Sequence, residues 1–205
     1  MEGRSGEFVR LHATHGKIEG SDLLAASGRT PNTDGIGLET AGIERDDGGF
    51  IKVDERLRTT AAGVWAVGDC AGSPHFTHIA DDDVRVVRDN LAGIDRVTTG
   101  RLVPFCLFTD PELARVGLSE SEAKSRGIAY RLAMIPLTGI ARSWTLSEPR
   151  GFYKALIAAD SDRILGFTAF GPEAGEVMAV VQVPVLAGLP YTALRDAVLT
   201  HPTMA

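Results

Sequence analysis

Two places in this 205-residue chain carry side chains set for chemistry rather than packing. The first is Val64-Trp65-Ala66-Val67-Gly68-Asp69, a short apolar run that ends in a Gly and then an Asp. Uninterrupted apolar runs of this length read as buried strands, and ligands of open α/β sheets sit beyond the carboxyl ends of such strands. Gly68 has no Cβ and lets backbone approach a ligand. Asp69 offers an acceptor-only carboxylate to ligand hydroxyls. Taken alone, the hexapeptide fits a plain strand end with an Asp turn equally well. The second place is His201-Pro202, where an imidazole could take and return a proton near neutral pH. An isolated His near a chain end is ordinarily unremarkable.

Further candidates lie between them. A helix beginning near Thr77 would leave its first amides without partners, which suits an electron-rich ligand group. Thr77 and His78 stand at that start. His78 reads equally well as a satisfied surface histidine, and His75 reads as surface. His12 and His15 have no Cys or carboxylate at ligand spacing and read as a solvated turn, so no metal site is expected. Cys70 and Cys106 share no CxxC-like spacing and form no disulfide framework. Cys106 lies in an apolar stretch and reads as a buried, inert thiol.

The elements that must position these groups follow from pattern. Phe8, Val9 and Leu11 predict one strand, His12 to Gly16 a turn, and Leu23 to Ser27 a second, buried strand. Residues 34–70 read as a β-rich return: one helical turn over Leu38–Ala41, a turn at Asp46-Asp47-Gly48-Gly49, a strand from Phe50, then the buried Val64–Val67. A helix is predicted from Thr77 to about Leu91, with Val84, Val87 and Leu91 on its apolar face and the Asp81–Asp83 acids favourably near its positive end. Thr98–Arg101 reads as a linker. Beyond it come a strand over Val103–Phe108, a Ser119/Glu122 capping box opening a short helix that Gly127 stops, and strands over Tyr130–Leu137, Gly151–Ala159 and Ile164–Phe170. A helix from Pro172-Glu173 should kink or break at Pro184, and Thr192 should cap a last helix over Ala193–Leu199. Strands followed by helices describe an α+β domain.

Composition excludes some classes. The residues are 44% hydrophobic and 23% charged, as in ordinary globular proteins. A net charge of −6 argues against a nucleic-acid footprint. No apolar run approaches a membrane span, and Met1–Gly6 lacks the apolar core of a signal peptide, so no membrane partner and a cytoplasmic location are expected.

Read in order, Gly28-Arg29-Thr30-Pro31-Asn32-Thr33, Val64–Asp69, Phe108-Thr109-Asp110-Pro111-Glu112 with Arg115-Val116-Gly117, and the terminal His201-Pro202-Thr203 resemble the C-terminal half of the FAD-dependent pyridine nucleotide-disulfide oxidoreductases. That family includes dihydrolipoamide dehydrogenase, glutathione reductase and mercuric reductase. The resemblance covers nearly the whole chain, from about residue 9. It implies three segments: 1–30 as the tail of an NAD(P)-binding domain, 31–102 as the C-terminal part of a Rossmann-like FAD-binding domain, and 103–205 as an α+β interface domain that makes a homodimer. It implies that Asp69, after Gly68, holds the ribityl chain of FAD. It places Thr77 and His78 against the flavin ring, and makes His201 the proton carrier for a dithiol, with NAD(P)H as co-substrate.

Departures matter too. Family members follow His-Pro-Thr with two variable residues and a Glu that orients the His; here Ala205 is the last residue. No Gly-x-Gly-x-x-Gly and no Cys-x4-Cys pair occurs in these 205 residues. The expectation is therefore a fragment whose N-terminal half is missing, inactive alone. The alternative is a non-catalytic dimerisation module. His201 favours a dithiol or disulfide substrate, since mercuric reductases usually carry Tyr there, whereas the pattern around Pro172–Glu176 is similar to the mercuric reductase branch.

Overall fold

The computed structural model describes residues 1–205. The chain opens with a three-stranded antiparallel meander, β1 (Glu2–Arg4), β2 (Phe8–Ala13) and β3 (Gly16–Gly20). Only Val9 of these strands is buried. β1 and β3 are additions to the sequence-based expectation; both are polar and Gly-rich and lack the apolar alternation that marks a strand. The expected strand over Leu23–Ser27 does not form, and Leu24 is 89% exposed. A strand exists through its partners, and this apolar run has no neighbour to pair with.

The same holds for residues 34–70, where the expected strands reduce to isolated bridges, Arg45 with Ile51 and Arg58 with Trp65. The Val64–Val67 run is thus extended but not a buried central strand, and Val64 is exposed. Leu38, Ile51 and Ala66 still gather into a small apolar cluster. The expected turns are present: the Ala41, Gly42 and Ile43 amides close a helical turn, and Asp46 accepts from the Gly48 and Phe50 amides, 2.9 Å each. Val67 leads into a 3-10 turn over Gly68–Ala71.

Helix α1 (Thr77–Leu91) has the predicted limits. Its inward face differs: Ile79, Asp83 and Val86 are buried, while Val84 and Leu91 are more than half exposed. The segment after α1 is tied down by ions, Arg96 to Asp82 and Asp89, and Arg101 to Asp82 and Asp83.

Residues 103–205 hold the main core. A five-stranded antiparallel sheet runs in the order β4 (Phe105–Leu107), β5 (Glu112–Gly117), β8 (Ile164–Gly171), β7 (Phe152–Ala158), β6 (Tyr130–Pro136). β8 is central and reads as a near-continuous buried run, as strands covered on both faces do. Ala114 and Val116 of β5 stand in register with Ala169 and Phe167 of β8. Tyr153 lies beside them, and α4 (Ala174–Leu186) covers this face with Ala174, Val177 and Met178.

The capping box forms as read: the Ser119 hydroxyl accepts from the Glu122 amide, and the Glu122 carboxylate accepts from the Ser119 amide at 2.7 Å. It opens α2 (Glu120–Ser125), whose Ala123 packs with Leu156, Ala158 and Leu165. α3 (Ala141–Thr145) was not anticipated. α4 runs past Pro184 and stops two residues later at Leu186, because a proline this near the C-terminus removes only one of the last bonds. α5 spans Tyr191–Arg195 with Pro190 at its cap, so the expected Thr192 cap and the Ala193–Leu199 helix give way to an earlier, shorter turn. The bridge between Arg163 and Pro190 and the Tyr191 amide donating to the Asp162 carbonyl at 2.8 Å fix this turn ahead of Thr192.

Candidate functional site

Gly68 has φ +71°, a left-handed backbone that side chains rarely adopt, and a Cβ there would stand 3.3 Å from the Ala80 side chain of α1. Glycine is therefore required for the chain to turn sharply against the helix and present Asp69. The Asp69 carboxylate is 58% exposed and faces Arg29 at 3.7 Å. This brings the Gly28-Arg29-Thr30 loop to the Gly-Asp turn, a meeting that sequence order alone did not reveal. An exposed pair at that distance contributes less than about 1 kcal/mol, so ligand hydroxyls can replace Arg29 on the carboxylate.

The turn packs on α1, which carries the other two candidates. Phe76 caps α1 with extended backbone and no side-chain hydrogen bond. The Ile79 and Ala80 amides both donate to the Phe76 carbonyl. Thr77 and His78 precede them at the exposed end of the helix. The His78 ring is engaged within the protein: Nε2 donates to the Pro104 carbonyl at 2.8 Å, and the ring stacks on Phe76, which stacks in turn on Phe105. The His78 side chain thus docks α1 onto the start of the second sheet, leaving its backbone for any ligand. Gly68, Asp69, Thr77 and His78 therefore belong to one locality.

One residue of that locality was misjudged from sequence. Asp83 was read only as an acid near a helix start. It is fully buried; its carboxylate accepts from the Gly68 amide at 2.8 Å and from Arg101 at 2.5 Å. The spacing Ile79, Asp83, Val86 places it on the inward face and was the available signal.

His201 lies apart, on an exposed tail. The tail is pinned by Met204, 2% exposed and part of the main core. Thr203 steadies it locally by donating to the Thr200 carbonyl at 2.8 Å. Of the two cysteines, Cys106 is half-buried, and burial together with the nearby Glu112 pushes its thiol up. That disfavours the thiolate that redox exchange requires. Cys70 donates to the Val67 carbonyl at 3.3 Å, within the same turn as Asp69.

The exposed Asp69 carboxylate is an acceptor of the kind that ligand hydroxyls require. The start of α1 carries no side-chain cap and suits an electron-rich group, whereas the space that glycine leaves at Gly68 is taken by Ala80 of α1 rather than left for a ligand, which corrects the expectation of close backbone approach there. The residues present therefore fit the sugar-alcohol and ring portions of a flavin.

The dimerisation-domain model of the pyridine nucleotide-disulphide oxidoreductases matches residues 103–205, and a pyridine nucleotide-disulphide oxidoreductase model matches residues 2–83. The chain is 38% identical over 199 residues to the probable pyridine nucleotide-disulfide oxidoreductase RclA of Escherichia coli, covering 96% of this chain and 45% of that protein. A solved structure of that HOCl-induced flavoprotein disulfide reductase superposes with a TM-score of 0.90 over 95% of this chain and 45% of its own. A dihydrolipoyl dehydrogenase of Thermus scotoductus is 35% identical over 98% of this chain and 44% of its own length. A mercuric reductase of Shigella flexneri is 33% identical over 98% and 36%. The chain spans less than half the length of these relatives.

Proposed function

Since this chain belongs to the pyridine nucleotide-disulphide oxidoreductase family, we propose that it supplies the flavin-facing and dimer-forming parts of an FAD-dependent enzyme. That enzyme passes two electrons between NAD(P)H and a dithiol/disulfide centre, with one proton exchanged with solvent for each disulfide reduced or dithiol oxidised. When bound, the flavin ring supplies the two-electron transfer between nicotinamide and sulfur. Asp69 would accept hydrogen bonds from the ribityl hydroxyls, and the backbone at Thr77 and His78 would hold the ring at its pyrimidine edge. His201 holds or returns the thiol proton, which exchange chemistry needs because the thiolate is the nucleophile.

The observation that carries this reading is the glycine-enforced presentation of an exposed Asp69 beside the uncapped start of α1. Homodimer formation through residues 103–205 is supported by apolar side chains left open on edge strand β6, namely Leu132, Met134 and Ile135, each more than two-fifths exposed. Unpaired apolar edges are covered in stable proteins.

The test mixes the 205-residue chain with FAD, desalts it and records the visible spectrum. The expected result is a retained flavin band that Asp69→Ala weakens at least about tenfold, the scale of a lost hydrogen bond to a charged group. Equal retention by both proteins would remove Asp69 from the site. No flavin on the unaltered chain would overturn the expectation that this part of the enzyme retains the cofactor alone.

A further inference from the structure

Asp83 has no place in the chemistry described, yet it is the fully buried carboxylate next to it. Its two oxygens go to two different parts of the molecule. Oδ2 accepts from the Gly68 amide at 2.8 Å, one residue before Asp69. Oδ1 accepts from Arg101 Nη1 at 2.5 Å, in the segment that leads to β4. Arg101 is itself 15% exposed and also reaches Asp82 at 3.4 Å. Within the same segment the Arg101 amide donates to the Thr98 carbonyl, and Thr98 is tied back to the Glu55 carbonyl. A buried carboxylate persists only when paired and hydrogen-bonded, and removing one partner leaves a costly orphan. The Gly68 amide and the Arg101 guanidinium therefore depend on the same group.

We infer that Asp83 is a positioning residue: it fixes the Gly68-Asp69 turn against α1 and couples that turn to the Arg101 segment joining it to the five-stranded sheet. This rests on the reading of Asp69 as the flavin-binding carboxylate. A shift of the connecting segment, as when the sheet docks onto a second copy, is then transmitted to the direction of Asp69 through one side chain. Asp69 keeps its aim only while Arg101 is seated.

The experiment follows amide hydrogen exchange by nitrogen-15 NMR on the full chain, with Asp83→Leu, Asp83→Asn and Arg101→Gln. Asp83→Leu removes the acceptor, so Gly68 exchange should rise at least about tenfold, while Phe167 in the central strand stays as it was. Asp83→Asn keeps an oxygen for Gly68 but loses the charge facing Arg101. It should raise Gly68 exchange less than Asp83→Leu does, because the Arg101 contact is lost while an acceptor remains, and it carries the test if the Leu variant fails to fold: Gly68 exchange equal to that of the original chain would then sink the inference. Arg101→Gln should speed Gly68 exchange through the shared carboxylate. Unchanged Gly68 exchange in Asp83→Leu, or a rise matched at Phe167, would sink the positioning role. An undisturbed Gly68 in Arg101→Gln would sink the coupling. The flavin reading is judged separately. If Asp69→Ala loses FAD and Asp83→Leu retains it fully, the inference fails and that reading stands. If Asp69→Ala retains FAD, that reading fails, and Gly68 exchange still decides what Asp83 holds.

Discussion

Met204 anchors the tail that carries His201, and its removal has a calculable consequence. Among residues 195–205 it alone is buried. Its side chain, 2% exposed, joins the cluster formed by Leu137, Tyr153, Phe167, Val177 and Met178. Truncating a buried Met to Ala costs about 2–5 kcal/mol when the surroundings hold their shape. Here the tail can leave as a unit, and release regains part of its backbone entropy. Detachment therefore caps the loss near the lower end, at about 2–3 kcal/mol. Met204→Ala should accordingly lower the unfolding free energy by that amount in urea. It should also raise amide mobility from Val198 to Ala205, with β7 and β8 unmoved. Met204→Leu keeps the volume and should stay within about 1.5 kcal/mol. A Met204→Ala protein within about 0.5 kcal/mol of the original, with an unchanged tail, would refute the idea that one side chain holds His201 in place.

Two further outcomes are expected. The Tyr153 hydroxyl is buried with no hydrogen-bond partner, and burial pushes its phenol up to about 12. The folded value is raised above the unfolded one near 10, so its contribution to stability is whole below about pH 10 and lost as pH climbs through about 12. Tyr153→Phe should be neutral or stabilising by about 1 kcal/mol at pH 7 and should flatten the alkaline limb in denaturation curves at pH 8 and pH 11. Glu122 is held below its ordinary 4.5 by the Ser119 hydroxyl first, then the Ser119 amide, with Arg115 adding to it. Its contribution is present above about pH 4.5 and fades as pH falls through the lowered folded value. Ser119→Ala should cost about 1 kcal/mol at pH 7, and the gap between the two proteins should narrow in acid as the hydroxyl-to-carboxylate bond is lost while the amide-to-hydroxyl bond persists; a gap unchanged down to pH 2 would count against the Ser119 hydroxyl as the group that holds Glu122 low.

What could be read from the chain divides by the range of the forces involved. α1, the Ser119 box and the β7–β8 hairpin were legible because caps, turns and periodicity act within a few residues. Leu23–Ser27 and Val64–Val67 have strand-like composition, but pairing is a property of two segments, and neither run meets a partner for a full ladder. The face of α1 was misjudged for a related reason. Val84, Val87 and Leu91 have the better apolar spacing, yet the helix turns Ile79, Asp83 and Val86 inward because Gly68 and Arg101 offer Asp83 its partners. Those partners lie 15 and 18 residues away in opposite directions along the chain.

The same division explains how the two chemical places are held. Asp69 and His201 are themselves solvent-facing, and neither is fixed by its own contacts: one exposed ion pair touches Asp69, and the His201 tail is bonded only to itself. Exposed pairs of that kind contribute little. Their positions are instead set one step away, by Asp83 through the Gly68 amide and by Met204 through the core. Under the proposed function, exposure is what lets the two side chains meet a ligand, and it also removes them from the packing that could aim them. A buried neighbour in sequence or across one hydrogen bond resolves that conflict. Substitutions at Asp83 and Met204 should therefore disturb ligand-facing geometry more than conservative changes on the exposed surface around Asp69 and His201.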